Sequence, residues 1–207
     1  MTQQKTPPLD TKERIIAAAI GEFAQKGFGG ARVDEIAKAA DVNKATLYYQ
    51  IGDKAALYGE VLNKVMTRLA DDVQENLSRA TEPAEKMENH IRTIAASIGR
   101  NIPFGQIMLR EIAGGGATLP DEPLRQMGRL VEIVGQILKE GREKGVFREA
   151  HPFVVHLMII GSVMLYACGT PIRARVAAST GHIDDMAFED AVRHIATIVI
   201  NGITRTA

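Results

Sequence analysis

From Lys54 to Ala80 an apolar side chain returns at every fourth residue: Leu57, Val61, Val65, Leu69, Val73 and Leu77. At 3.6 residues per turn this spacing lays a buried stripe along one long helix. The same three- and four-residue spacing recurs through most of the 207 residues, and strand alternation is hard to find anywhere. It predicts about nine helices and an all-α fold. Ile15, Ile16, Ala19, Ile20 and Phe23 mark a first helix, with Asp10 as cap, Glu13 three residues on as in a capping box, and Gly27 as stop. Val33, Ile36, Ala37 and Ala40 mark a short second helix. Asn43 is a good cap for a third, which ends at Gly52. Asp53 caps the long fourth. The helices after it are longer and more apolar. The organisation expected is a polar flexible tail over residues 1–9, a small module over 10–53 and a larger helical domain over 54–207. "GGGATLPDEP", from Gly114, reads as a flexible loop. "GTPIRARVAASTGHID", from Gly169, reads as another, with room for one helical turn.

The third helix has an unusual surface. Leu47 and Ile51 are four apart and anchor one face. Lys44, Ala45, Thr46, Tyr48, Tyr49 and Gln50 are left for the others, with no acidic residue from Asn43 to Gln50. Two short helices joined by a tight turn and braced by a third form a helix-turn-helix, whose second helix enters the major groove of DNA. Lys44 suits a phosphate or a guanine edge, Ala45 a thymine methyl, Gln50 a phosphate or a base. Thr46 and the hydroxyls of Tyr48 and Tyr49 suit phosphates. Lys54, at the start of the fourth helix, suits a phosphate shared with the free backbone N–H groups there. The formal net charge is zero, so any nucleic-acid surface is a local patch. The same pattern also fits a helix pair that never meets DNA.

The order of residues narrows this. "VDEIAKAADVNKATLYYQIGDKAAL", Val33 to Leu57, resembles the tetracycline-repressor (TetR) family of bacterial transcription regulators through Val33, Ile36, Ala37, Ala40, Val42, Leu47, Tyr48, Lys54 and Leu57. Ile15, Ala18, Ala19, Phe23 and Gly27 extend the match over residues 10–58, about a quarter of the chain. Asp41 replaces the family's turn glycine and Asn43 its serine cap. Gln50 and Ile51 replace a His-Phe pair, and Arg32 stands where threonine is common, with a phosphate contact in place of a cap.

The resemblance implies a homodimer that binds a palindromic double-stranded operator and is released by a small-molecule effector, usually as a repressor. It implies that the last two long helices form the dimer contact. Val155, Ile159, Ser162, Val163 and Tyr166 on one, with Val192, Ile195, Ile198 and Val199 on the other, are the candidates; the alternative is that both helices are plain core. It also implies an effector pocket in the larger domain. Met66, Met87, Ile91, Phe104, Met108, Met127, Leu130, Val134 and Met158 are candidate linings, with His90 and Arg110 as polar contacts, set against ordinary packing for each and, for Arg110, a pair with Glu111 or a neighbouring helix. No catalytic constellation, metal set or cofactor motif stands out: His151 and His156 are five apart, and "GGGAT" lacks the lysine of a phosphate loop. The rival readings are a regulator controlled by a protein partner through Gly114–Pro123, and a helical binder or enzyme with no DNA role. The single Cys168 and a polar N-terminus point to the cytoplasm. "PFVVHLMIIGSVMLYACG", from Pro152, is slightly short for a membrane span and reads as a buried interface helix.

Overall fold

Ten helices run through the computed structural model, which describes residues 10–181 and 185–205. The tail expected over residues 1–9 lies outside them, as do residues 182–184 of the last expected loop. The helices are α1 (Thr11–Gly30), α2 (Val33–Ala39), α3 (Lys44–Gln50), α4 (Lys54–Leu77), α5 (Pro83–Arg100), α6 (Ile102–Ala113), α7 (Asp121–Glu143), α8 (Pro152–Cys168), α9 (Thr170–Thr180) and α10 (Phe188–Ile203). Among the described residues the only β feature is an isolated bridge between Phe147 and Thr204, which ties the α7–α8 connection to the end of α10. No single described helix is long and apolar enough to cross a membrane. Helices α8 and α9 reach that length only together, and they bend apart by 73°.

Each local rule can be followed to its result. The fourfold stripe of α4 buries Leu57, Val61, Leu69 and Val73, while Val65 and Leu77 are partly covered. Asp53 caps α4 by accepting from the Ala56 amide at 2.8 Å. Gly27, at φ +67°, breaks the regular turns of α1, and the chain winds on to Gly30. Asp10 makes no side-chain cap, contrary to the capping-box expectation: Glu13 is drawn away to Lys64 of α4, 2.7 Å distant. Asn101 caps α6 by accepting from the Phe104 amide, and Pro103 lies in the first turn of that helix.

Two expectations are corrected. The stretch after Gly169 is an eleven-residue helix, α9, not a loop; it buries none of its residues, so no apolar stripe announces it. The loop after α6 ends at Pro120 because α7 starts three residues earlier than Leu124. Its Thr118 hydroxyl donates to Glu111, which fastens it. The small module and the larger domain also share one continuous buried cluster, from Ile15 in α1 to Ile203 in α10.

Candidate nucleic-acid interface and effector core

Helix α3 is built to display. The turn before it reverses at Asp41, whose φ of +54° is the only positive value at a described residue other than glycine; aspartate tolerates this conformation. Asn43 Oδ1 then accepts from the Thr46 amide at 2.7 Å and from its hydroxyl at 2.9 Å. Leu47 is wholly buried and Ile51 packs against the core beside it. Everything else on the helix faces outward. Lys44, Ala45, Tyr48 and Gln50 are exposed, and Tyr49 is 88% exposed. Arg32, before α2, is exposed too, and its backbone amide donates to Glu22.

Four residues expected at the DNA face have other partners. The Thr46 hydroxyl and Asn43 Oδ1 are used in the cap, so they serve the shape of α3 before any phosphate. The Lys54 ammonium turns back to the Gly29 carbonyl at 3.2 Å and lies 4.9 Å from the centre of the Phe28 ring. It closes the end of α1. Lys44 meets a residue that sequence spacing does not reveal: its ammonium lies 2.8 Å from Asp34 of α2, and that hydrogen bond and charge raise its pKa.

The module is wired to the larger domain at α6. Arg110 donates to the Ala24 and Gln25 carbonyls in the last turns of α1, at 3.2 and 3.1 Å. It therefore meets a neighbouring helix, the expected alternative to an effector role, and does not pair with Glu111. Beside it, the Tyr58 hydroxyl of α4 donates to buried Glu111 at 2.5 Å. Burial, then the Glu111 hydrogen bond and charge, push the Tyr58 phenol above its ordinary range. The Tyr58 ring sits between Phe23 and Phe28 of the module, 4.8 and 5.0 Å between centroids. Tyr58, Glu111 and Thr118 were missed from sequence, since nothing in spacing joins residues so far apart. Glu22 also ties the module together. Desolvation alone would raise its carboxyl pKa, but the Lys26 hydrogen bond, the Arg32 amide and the charges of Lys26 and Lys54 hold it low.

The expected effector residues divide. Met66, Met87, Ile91, Phe104, Met108, Leu130 and Val134 are buried between α4, α5, α6 and α7, with Met127 partly covered. His90 lies wholly inside with them. Met158 does not: it is 46% exposed on the outer face of α8. Five clefts opening on the surface are lined by none of these residues.

The expected dimer residues also need correction. Val155, Ile159 and Val163 of α8, and Val192 and Val199 of α10, are buried within the chain itself and are not free to meet a partner. A helix apolar on all sides does not reveal which face is inner. The face left in solvent carries Phe153, Val154, Leu157, Met158 and Leu165 of α8, with Ile198 of α10. Ser162 is exposed beside them but donates to the Met158 carbonyl. Tyr166, partly covered, donates to the Met186 carbonyl at 2.6 Å and has Arg173 stacked on its ring. Tyr166, Ile195 and Ile198 border a shallow groove completed by Ile172 and Val176 of α9.

Comparison with known proteins agrees with this geometry. Residues 15–61 match the family model described as "Bacterial regulatory proteins, tetR family". The chain is 28% identical over 195 residues to the HTH-type transcriptional repressor SCO4008 of Streptomyces coelicolor, covering 94% of this chain and 97% of that one. It is 27% identical to the HTH-type transcriptional regulator RutR of Escherichia coli, covering 93% and 90%. Its fold is similar to the transcriptional regulator FadR of Bacillus subtilis solved in complex with stearoyl-CoA, with a TM-score of 0.72 at 18% identity over 92% of this chain and 98% of that one.

Proposed function

The chain belongs to the TetR family of bacterial transcription regulators, and from that premise we propose that it is a dimeric repressor: it binds a palindromic operator through α3 and leaves it when a small molecule enters the helical domain. The exposed face of α3 carries this reading. A helix whose only wholly buried residue is Leu47 and whose side chains end in ammonium, phenol and amide groups fits a wet, polar, anionic groove. The relatives named above are regulators, not enzymes.

The dimer reading rests on the outer face of α8 and α10. Six large apolar side chains there lack polar tips, and contiguous patches of this kind mark protein interfaces. A twofold pair joined through them sets two α3 helices about one DNA turn apart, roughly 34–36 Å.

The effector reading rests on linkage. A ligand shifts the population only as far as it binds one state better, and useful couplings are about 1–3 kcal/mol. The path offered by the fold is short. Displacement in the core moves α6, and α6 holds α1 through Arg110 and α4 through Glu111 and Tyr58. The solved FadR neighbour holds stearoyl-CoA, which supports ligand entry into this fold. A gel shift of the purified protein on DNA upstream of its own gene, repeated with scrambled duplex, tests the whole reading. Retardation of the upstream duplex alone is expected; equal or absent retardation of both overturns it.

A further inference from the structure

His90 of α5 and His156 of α8 face one another inside the helical domain, with ring centroids 6.5 Å apart and planes tilted by 56°. His90 exposes no surface and His156 only 5%. Neither nitrogen of His90 has a hydrogen-bond partner, nor does Nδ1 of His156. The other buried polar side chains among the described residues are satisfied. Thr93 donates to Asn89 and accepts from Asn76; Glu111 accepts from Tyr58 and Thr118; Gln126 donates to Glu122 and accepts from Arg129. Leaving a buried polar atom unpaired costs free energy that native cores seldom bear, and such atoms need an explanation. Here three lie together.

We propose that this histidine pair receives the head group of the effector, and that the effector is a small apolar carboxylic acid. The inference rests on the effector reading above. The apolar part of the ligand has a matching wall: Met87 and Ile94 flank His90 on α5, Ile159 lies one turn from His156 on α8, and all three are buried. Methionine yields readily to a guest. The head group follows from geometry and charge. With hydrogen bonds of about 2.9 Å, one oxygen placed between rings at this separation reaches both. The pair can accept a proton and no acidic side chain competes with the guest, because the one buried carboxylate among the described residues, Glu111, is held by Tyr58 and Thr118. Burial keeps the empty pair neutral; desolvation, then the neighbouring His156, push His90 down to about 3. An entering carboxylic acid brings its own proton. Shared with one imidazole, that proton leaves an acid–imidazole pair with no net buried charge. An ester lacks the proton and can only accept.

Titration calorimetry of the intact protein with hexanoic and octanoic acids, and with their methyl esters, tests this. The acids are expected to bind roughly ten- to hundredfold tighter than the esters, as for a hydrogen bond to a charged group. His90→Leu and His156→Leu, checked for folding by their helical circular-dichroism melts, are each expected to abolish that preference. Equal affinity for acid and ester, no acid binding, or a preference that survives both substitutions overturns the proposal. So does a crystal structure of the acid-soaked protein in which a water, and not the acid, bridges the two rings. Operator binding by the wild-type protein is measured separately. Acid preference without operator binding sinks the regulator reading and leaves only the acid-binding site standing; operator binding without acid preference sinks the site and leaves the regulator reading.

Discussion

Helices α3 and α8 both hold large side chains in water, and the chemistry at the tips separates them. On α3 the exposed groups end in a hydroxyl, an ammonium or an amide, so water satisfies them until a polar partner arrives. On α8 they end in methyl, thioether or phenyl groups, and water does nothing for Phe153, Leu157 or Leu165. Transfer of such surface out of water contributes about 25 cal/mol per Å². The two helices therefore ask for different partners: α3 for a charged duplex, α8 for another apolar face. Exposure alone says that a partner is missing, and composition says which kind.

The strongest way to break the contrast is to give α8 what α3 has. Leu165→Glu puts a carboxylate where a second copy should pack. An unpaired charge buried in an interface costs about 3–5 kcal/mol. Sedimentation velocity is expected to show monomer at concentrations where the wild type is dimeric, and operator affinity is expected to fall with it. A dimer that persists in Leu165→Glu removes this face from the interface.

The inner side of α8 offers the next test, since α3 hides no titratable group. His90, facing His156, is pushed down to about 3 in the fold, chiefly by desolvation, from 6.5. A base with a depressed pKa favours the fold only while neutral. Its contribution is complete above pH 6.5 and is lost as pH falls toward 3, at about 1.4 kcal/mol per pH unit for one proton. Urea denaturation at pH 6.5 and 4.5 is expected to differ by about 2–3 kcal/mol more in the wild type than in His90→Leu. Parallel losses in the two proteins mean that His90 already finds a partner.

The contrast also explains what could be read from sequence. On α3, one anchor phase, one cap and one turn residue are local, so Asn43, Leu47 and Ile51 are legible from their spacing. On α8, apolar residues occupy every side, and no periodicity tells Val155 and Ile159, which face inward, from Val154 and Met158, which face outward. Helix α9 fails for the opposite reason: it buries nothing, so its Ile172 and Val176 trace no stripe. Partners set by tertiary contact stay hidden. Arg110 on α1, Tyr58 on Glu111 and Lys54 on Gly29 join residues 25 to 86 positions apart. His156 carried a faint signal, as the one titratable residue in "PFVVHLMIIG".

Tyr49→Ala sharpens the α3 side. The residue is 88% exposed, so its loss is expected to leave urea stability within about 0.5 kcal/mol. Operator affinity is expected to fall by about 1–3 kcal/mol if the ring or hydroxyl reads a base. Unchanged affinity for a mapped operator takes Tyr49 out of the interface.

The smallest effect concerns Asp34, the acid that α2 places 2.8 Å from Lys44. The two side chains are 64% and 49% exposed, so their pairing is worth about 0–1 kcal/mol. A phosphate must either displace Asp34 or share the ammonium with it, and the carboxylate repels the phosphate in both cases. Asp34→Asn removes the repulsion and frees the ammonium. Operator affinity is then expected to rise by up to about fivefold, the equivalent of about 1 kcal/mol. The plot of log affinity against log salt is expected to steepen by about one unit as Lys44 takes over a full phosphate contact. Lys44→Ala in the same background should cancel both changes. A drop in affinity in Asp34→Asn assigns Asp34 the opposite part, a strut that aims Lys44 into the groove, and makes the outward face of α3 a surface held in place by α2.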